Sequence, residues 1–133
     1  MESDSQKTLF YIHGNTKVGQ PIDVEQLMTR CMGQLDFAQE ILTDFLDTCE
    51  SGLDSIRESG TRSDIEALRT TAHRLKGTSA TVAATNLSEM FEQMEQHAAA
   101  GDVDSIRNQF GPLDEEFGCV KQFVTSLCQQ ESL

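Results

Sequence analysis

Apolar residues recur at spacings of three and four along most of this chain, and that register constrains the fold more than any other feature. The clearest example lies near the C-terminus, at Val103, Ile106, Phe110, Leu113, Phe117, Val120, Val124 and Leu127. Such spacing places the apolar side chains on one side of a helix, where they can pack against neighbouring helices. No alternation typical of a strand follows residue 20. The sequence therefore predicts an all-α fold.

Turn and cap residues divide this register into one short helix and four longer ones. The short helix is expected from Val24 to about Met32, between an Asp23 cap and Gly33. The longer helices are expected at residues 35–58, 63–84, 85–101 and from 102 onward, with Ser63 and Thr85 as the caps of the second and third of these. Pro112 falls inside the last helix, but the apolar register runs through it, which predicts a kinked continuous helix or two helices on one axis. Short turns make sequential neighbours antiparallel, so we expect an up-down-up-down four-helix bundle with the short helix as a lid.

Length and charge limit what the chain can be. Its 133 residues suit one domain, which we place at residues 21–133, after a flexible N-terminal arm at residues 1–20. A net charge of −12 argues against binding to nucleic acid or to an anionic membrane. There is no apolar run of 18 residues and no secretory signal pattern. The four cysteines lack zinc spacing, so we expect reduced thiols, mostly core filler, in a cytoplasmic protein.

The stretch from Ser63 to Ala84 carries an unusual outer face. Its inward stripe is predicted to be Ile65, Leu68, Ala72, Leu75, Ser79 and Val82. His73 lies about 135° from the middle of that stripe, so its ring should face water. Gly77, Ala80 and Ala84 follow on the same outer side, while Arg69 and Lys76 flank the histidine. Glycine inside a helix costs roughly 1 kcal/mol relative to alanine. The pattern therefore favours a function that needs bare backbone beside the ring.

An exposed neutral imidazole is a nucleophile, and nearby cations suit a group that becomes strongly negative. A smooth patch beside the ring would let another protein approach it closely. These features together predict a phosphate-carrying histidine at His73. The competing interpretation is an ordinary surface histidine beside a tolerated glycine.

Residues 72–79, AHRLKGTS, also resemble the A-H-x-L-K-G-x-S/A signature of histidine-containing phosphotransfer (HPt) domains. The resemblance extends from about residue 21 to the C-terminus. It implies that His73 is phosphorylated on a ring nitrogen, that Lys76 helps to stabilise the phosphate and that Gly77 clears the way for a receiver domain. The family usually has Gly-Ala ten and eleven residues after the histidine, where this chain has Ala83 and Ala84. We expect that change to alter packing or docking slightly.

The resemblance predicts a phosphorelay intermediate of two-component signalling. His73 would accept a phosphoryl group from the phospho-aspartate of a receiver domain and pass it to the aspartate of another. A hybrid sensor histidine kinase is a candidate source of one receiver. The chain has no GxxxxGK[ST] loop for ATP, so we expect a phosphoryl carrier rather than an enzyme, with no cofactor of its own. Mg²⁺ is expected on the receiver only. We expect a monomer, although some histidine phosphotransferases dimerise through similar bundles.

Docking is expected to use the first three helices around His73, with Met28, Phe37 and Ala80 as apolar contacts beside Arg69 and Ala84. Two other functions compete with this prediction. A docking or scaffold protein with a degenerate HPt-like fold would use the same bundle without covalent chemistry. A metal-binding bundle would need inward-facing histidines and carboxylates, which the apolar stripes lack, and no metal site is predicted. The sequence does not identify the group that orients the His73 ring.

Overall fold

A computed structural model describes residues 20–129 of the chain. It contains α1 (Val24–Arg30), α2 (Leu35–Thr61), α3 (Ile65–Thr81), α4 (Thr85–Ala99) and α5 (Val103–Cys128). No strand occurs in this described range, so the predicted all-α fold is confirmed. The predicted N-terminal arm lies outside the described residues, apart from Gln20. Among the described helices, none is both long and apolar enough to cross a bilayer.

The four longer helices close into a bundle around one core. Each packs against the next in the chain, and α2 also contacts α5, which completes the ring. The largest fully buried side chains come from every helix and from the segment before α1: Ile22, Leu27, Leu42, Ile56, Leu68, Leu75, Leu87, Phe91, Met94, Ile106, Leu113 and Val120. Short connections force sequential helices to run antiparallel. The predicted up-down-up-down bundle is therefore confirmed, with α1 lying against one end of it.

Several local signals act as the sequence predicts. The Asp23 side chain accepts a hydrogen bond from the Gln26 backbone N–H at 3.1 Å, so it caps α1. Gly33 and Gly101 adopt φ values of +74° and +73° at turns that follow α1 and α4. The helix α5 is continuous from Val103 to Cys128 with Pro112 inside it. The apolar register thus outweighs the hydrogen bond that proline cannot donate.

The limits of α3 differ from the prediction at both ends. Asp64, rather than Ser63, caps the helix by accepting from the Ala67 backbone N–H at 3.1 Å. Ser63 has a φ of +55°, and its hydroxyl instead accepts a hydrogen bond from Arg107 at 2.9 Å. The helix ends at Thr81, not Ala84. A left-handed turn at Ala83, with φ +63°, redirects the chain into α4.

The cysteines divide into two pairs. Cys31 and Cys49 are buried. Burial, and to a smaller extent the negative charge of Glu50, raises the pKa of the Cys49 thiol to about 12, so this thiol stays protonated at neutral pH. Cys119 and Cys128 are exposed. The core-filler prediction is therefore wrong for those two residues, because they lie on the solvent side of α5.

Gly52 lets α2 approach α3 closely, and the spacing of apolar residues did not predict this contact. A Cβ at Gly52 would lie 2.6 Å from a terminal methyl carbon of Leu75. Leu75 is fully buried two residues after His73, so it would have to press against other core atoms to make room. Gly52 therefore contributes to the packing of the helix that carries His73.

We expect Gly52→Ala to lower the free energy of unfolding by about 1–3 kcal/mol because the added methyl overpacks the core. Gly118→Ala is the matched control, since no atom of the described chain outside its local helix lies within 4 Å of the new Cβ. The control should raise stability by up to about 1 kcal/mol through helix propensity. Urea unfolding of both variants tests this, and equal effects would contradict the packing argument.

Candidate functional site

His73 lies on the solvent side of α3, as the helical pattern predicts. Its side chain is 66% exposed. Its near neighbours Ala72 and Leu75 are both fully buried. Because those two side chains fix which face of α3 meets the core, the imidazole is held outward without being buried itself.

The group that orients the ring is Glu95, on the facing helix α4. Its Oε2 lies 2.8 Å from His73 Nδ1, and its Oε1 lies 3.0 Å from Lys76 Nζ. One carboxylate thus holds both the imidazole and the neighbouring ammonium group. The sequence prediction missed Glu95. A signal did exist, because the turn near Ala83 lies ten residues after His73 and twelve before Glu95, which brings the two alongside in an antiparallel helix pair.

The charge on Glu95 decides which ring nitrogen carries the proton. The hydrogen bond from Lys76 lowers the pKa of Glu95 most strongly; partial burial opposes this shift, and the bond to His73 adds to it. Glu95 is therefore ionised at neutral pH, and an ionised carboxylate only accepts hydrogen bonds. His73 Nδ1 must donate, so in the neutral ring Nε2 holds the free electron pair. The most nucleophilic atom of the ring is the one turned away from Glu95.

Both predicted cations have acidic partners in this structure. Lys76 pairs with Glu95, and Arg69 Nη2 lies 2.5 Å from Glu66 Oε2 on the same helix. The Arg69 pair is solvent-exposed, so water and salt weaken it and the guanidinium can be recruited elsewhere. The Lys76 ammonium is more sheltered, with 31% of its side chain exposed. Lys76 is therefore the cation that a carboxylate on the facing helix holds beside the ring.

Gly77 and Ala80 form the smooth patch beside the ring. No atom of the described chain outside the local helix lies within 4 Å of a Cβ built at Gly77, so internal packing does not require glycine there. Ala80 is exposed on the same face. Ala84 is fully buried instead, and its predicted place on the outer face is wrong because α3 ends before it. It serves as the N-cap residue of α4, where Thr85 was predicted.

Apolar side chains are exposed at the lid end of the bundle. The predicted contact Phe37 is 47% exposed, whereas Met28 is partly buried against the core. Met32 is 81% exposed and was not singled out from the sequence. A shallow cavity of about 400 Å³ opens on the outer side of α1; its lining includes Val24, Met28 and Met32. The end of the bundle near Ala80 thus combines a smooth helix surface with accessible apolar groups.

Two other chemistries find no support in the described residues. Ser79 is fully buried on the core-facing side of α3, whereas His73 faces solvent, so the two cannot form a nucleophile–base pair. Within residues 20–129 no group of three or more His, Cys, Asp or Glu residues is arranged to hold a metal ion.

Comparison with known proteins agrees with this geometry. The family model described as "Hpt domain" matches residues 40–130, which is more than half of the chain. The chain belongs to the Hpt domain family. Hpt domains are phosphocarriers rather than classical enzymes, and the match supports a histidine phosphotransfer role in a two-component phosphorelay.

One solved structure shows the same fold. It is histidine-containing phosphotransfer protein B (HptB) from Pseudomonas aeruginosa PAO1, with 24% sequence identity and a TM-score of 0.79. The alignment covers 84% of this chain and 97% of that one. No curated protein sequence matches the chain.

We expect Glu95→Gln to let the neutral His73 ring populate both tautomers, because a carboxamide can either accept from Nδ1–H or donate to Nδ1. Nitrogen-15 NMR of His73 near neutral pH should show a proton on Nδ1 in the unmodified protein and a mixture of tautomers in the variant. An unchanged tautomer would contradict the assignment.

The same variant has a pH signature. A lowered carboxyl pKa contributes stability above its ordinary value of 4.5, and that contribution is lost as the pH falls through the lower folded value. Glu95→Gln should therefore unfold more easily than the unmodified protein at pH 7, and the difference should shrink below pH 4.5.

Proposed function

We propose that His73 accepts a phosphoryl group from the aspartyl phosphate of a receiver domain and passes it to the aspartate of a second receiver. The contact between Glu95 and Nδ1 carries this proposal, because it leaves Nε2 exposed with its electron pair free. The family match supplies the reaction class. The geometry of α3 and α4 supports the choice of His73 as the residue and of Nε2 as the atom.

The transfer step is an in-line displacement at phosphorus. The Nε2 electron pair of neutral His73 forms the N–P bond while the P–O bond to the receiver aspartate breaks. That carboxylate leaves with the bonding electrons. Nδ1 keeps its proton, held by Glu95, so the phosphorylated ring carries a positive charge next to a carboxylate. Reversal of the same step towards another receiver aspartate expels neutral imidazole as the leaving group.

Lys76 is the group of this chain best placed to stabilise the transferred charge. Its ammonium lies 3.0 Å from Glu95, beside the ring, and it can move from that carboxylate to a phosphoryl oxygen. Arg69 lies one turn before His73 and adds a second positive charge near the site. We expect Mg²⁺ on the receiver, as part of the receiver's own phosphorylation site.

The receiver is proposed to dock over Gly77 and Ala80, with apolar contacts to Met28 and Phe37. This surface combines bare helix backbone with accessible apolar groups, which suits close contact with another folded domain. A receiver of a hybrid sensor histidine kinase is one candidate partner. We propose a monomeric, cytoplasmic carrier with no cofactor and without an ATP site of its own.

We expect His73→Gln to abolish uptake of acid-labile phosphate from a radiolabelled phosphorylated receiver, because the substituted side chain lacks a nucleophilic nitrogen. His97→Gln on α4 is the matched control and should take up label like the unmodified protein. Label retained by His73→Gln would place the phosphorylation site elsewhere. Receiver binding without any label on the unmodified protein would favour the scaffold function instead.

Gly77 separates the demands of docking from those of stability. Gly77→Ala should raise the free energy of unfolding by about 1 kcal/mol, since helix propensity improves and the methyl meets open space. Gly77→Arg should retain the fold yet block label transfer from the receiver by steric obstruction. Gly118→Arg places the same side chain on an exposed position of α5 and should leave transfer intact. Normal transfer by Gly77→Arg would contradict docking over this patch.

A further inference from the structure

The lid helix α1 is held onto the helix that carries His73. It has seven residues, too few for an isolated helix to be stable in water. Leu27 within α1, Ile22 just before the helix and Cys31 just after it are buried in the core. At the start of α1, the Asp23 backbone N–H donates to the Ala83 carbonyl at 2.9 Å. One end of the lid is therefore fixed to the turn that follows α3.

Arg30 fixes the other end. Its Nη1 donates to the carbonyl oxygens of Ala80 and Thr81, at 2.7 and 2.9 Å. Its Nη2 donates to Gln26 Oε1 at 2.8 Å, one turn earlier in α1, which holds the guanidinium in place. A planar group that bridges two carbonyls fixes direction as well as distance.

These contacts meet a need of α3. The last carbonyls of a helix lack partners within it and carry partial negative charge. The last turn of α3 contains no basic residue. Arg30 donates to the Thr81 carbonyl and brings a positive charge to this helix end from a different helix. It is a second donor to the Ala80 carbonyl, which also accepts from the Ala83 backbone N–H at 3.0 Å. The end of α3 and the lid are thereby joined into one surface.

Ala80 lies seven residues after His73, on the same face of α3, so Arg30 is attached where the smooth patch ends. We propose that Arg30 is a positioning residue that holds α1 against α3, so that Met28 and His73 are presented together to a receiver domain. This inference rests on the proposed function. Arg30 has no part in the chemistry at the ring, and its effect is on the fraction of molecules whose docking surface is assembled. When only a fraction of a protein is competent to bind, its apparent affinity falls by that fraction.

The test uses Arg30→Ala, Arg30→Lys and the control Arg57→Ala in the full chain. Arg57 is a half-exposed arginine that pairs with Asp54 and Asp114, away from the lid. For Arg30→Ala we expect faster amide hydrogen exchange at residues 24–31 and about tenfold weaker binding of a receiver domain by calorimetry. The KM for the phosphorylated receiver should rise similarly, and the maximal rate should stay within about twofold. Arg30→Lys keeps the positive charge but not the planar guanidinium with its several donors. Its lid exchange rate and receiver affinity should therefore lie between those of Arg30→Ala and those of the unmodified protein.

Phosphoramidate serves as a small phosphoryl donor that needs no docking surface. All three variants should take up label from it at the rate of the unmodified protein. Unchanged exchange in the lid would overturn the inference, even if receiver binding weakened, because Arg30 would then act as a direct contact. Unchanged receiver binding would overturn it as well. If His73 of the unmodified protein takes no label from either donor, the proposed function fails, and lid exchange with receiver binding still decides the role of Arg30.

Discussion

The antiparallel packing of α3 against α4 is the constraint on which both the core and the site depend. Leu75 on one helix and Phe91 on the other are fully buried, so they fix the rotation of each helix about its axis. That rotation brings Glu95 beside His73 at 2.8 Å. A change in packing at the buried face would therefore alter the contact between Glu95 and the exposed His73 ring.

The proposed site at His73 would reconcile two requirements of phosphoryl transfer. The ring must be accessible to another protein, yet a nucleophile must have a defined proton and orientation. Exposure comes from the outer face of α3, and orientation comes from a single carboxylate on α4. The chain as a whole carries a net charge of −12, which opposes the arrival of a phosphoryl group. In the proposed function Lys76 would offset that repulsion locally, and its pairing with Glu95 holds its ammonium group beside the ring.

Helix ends show how far local sequence signals reach. The caps Asp23 and Asp102 accept hydrogen bonds from backbone groups three residues later, so neighbouring residues determine them. At the end of α3, Ala83 adopts a left-handed conformation, and Arg30, fifty residues before Ala80, donates to the Ala80 carbonyl. Contacts such as that of Arg30 join residues that are far apart in the sequence, so a local sequence pattern does not predict them. The misplacement of Ala84 and the unrecognised contact of Arg30 have this common cause.

The sequence by itself determined the all-helical class, the order of the helices and the exposure of His73, because apolar spacing and turn residues act over a few neighbours. It also placed Lys76 and Gly77 beside the ring, since both lie on the same helix one turn away. Only the tertiary structure decided that Glu95 holds Nδ1, that Gly52 lets α2 approach Leu75 and that Ala84 is buried. Each of those facts depends on how two helices are rotated and spaced against each other, which is a property of the packed core.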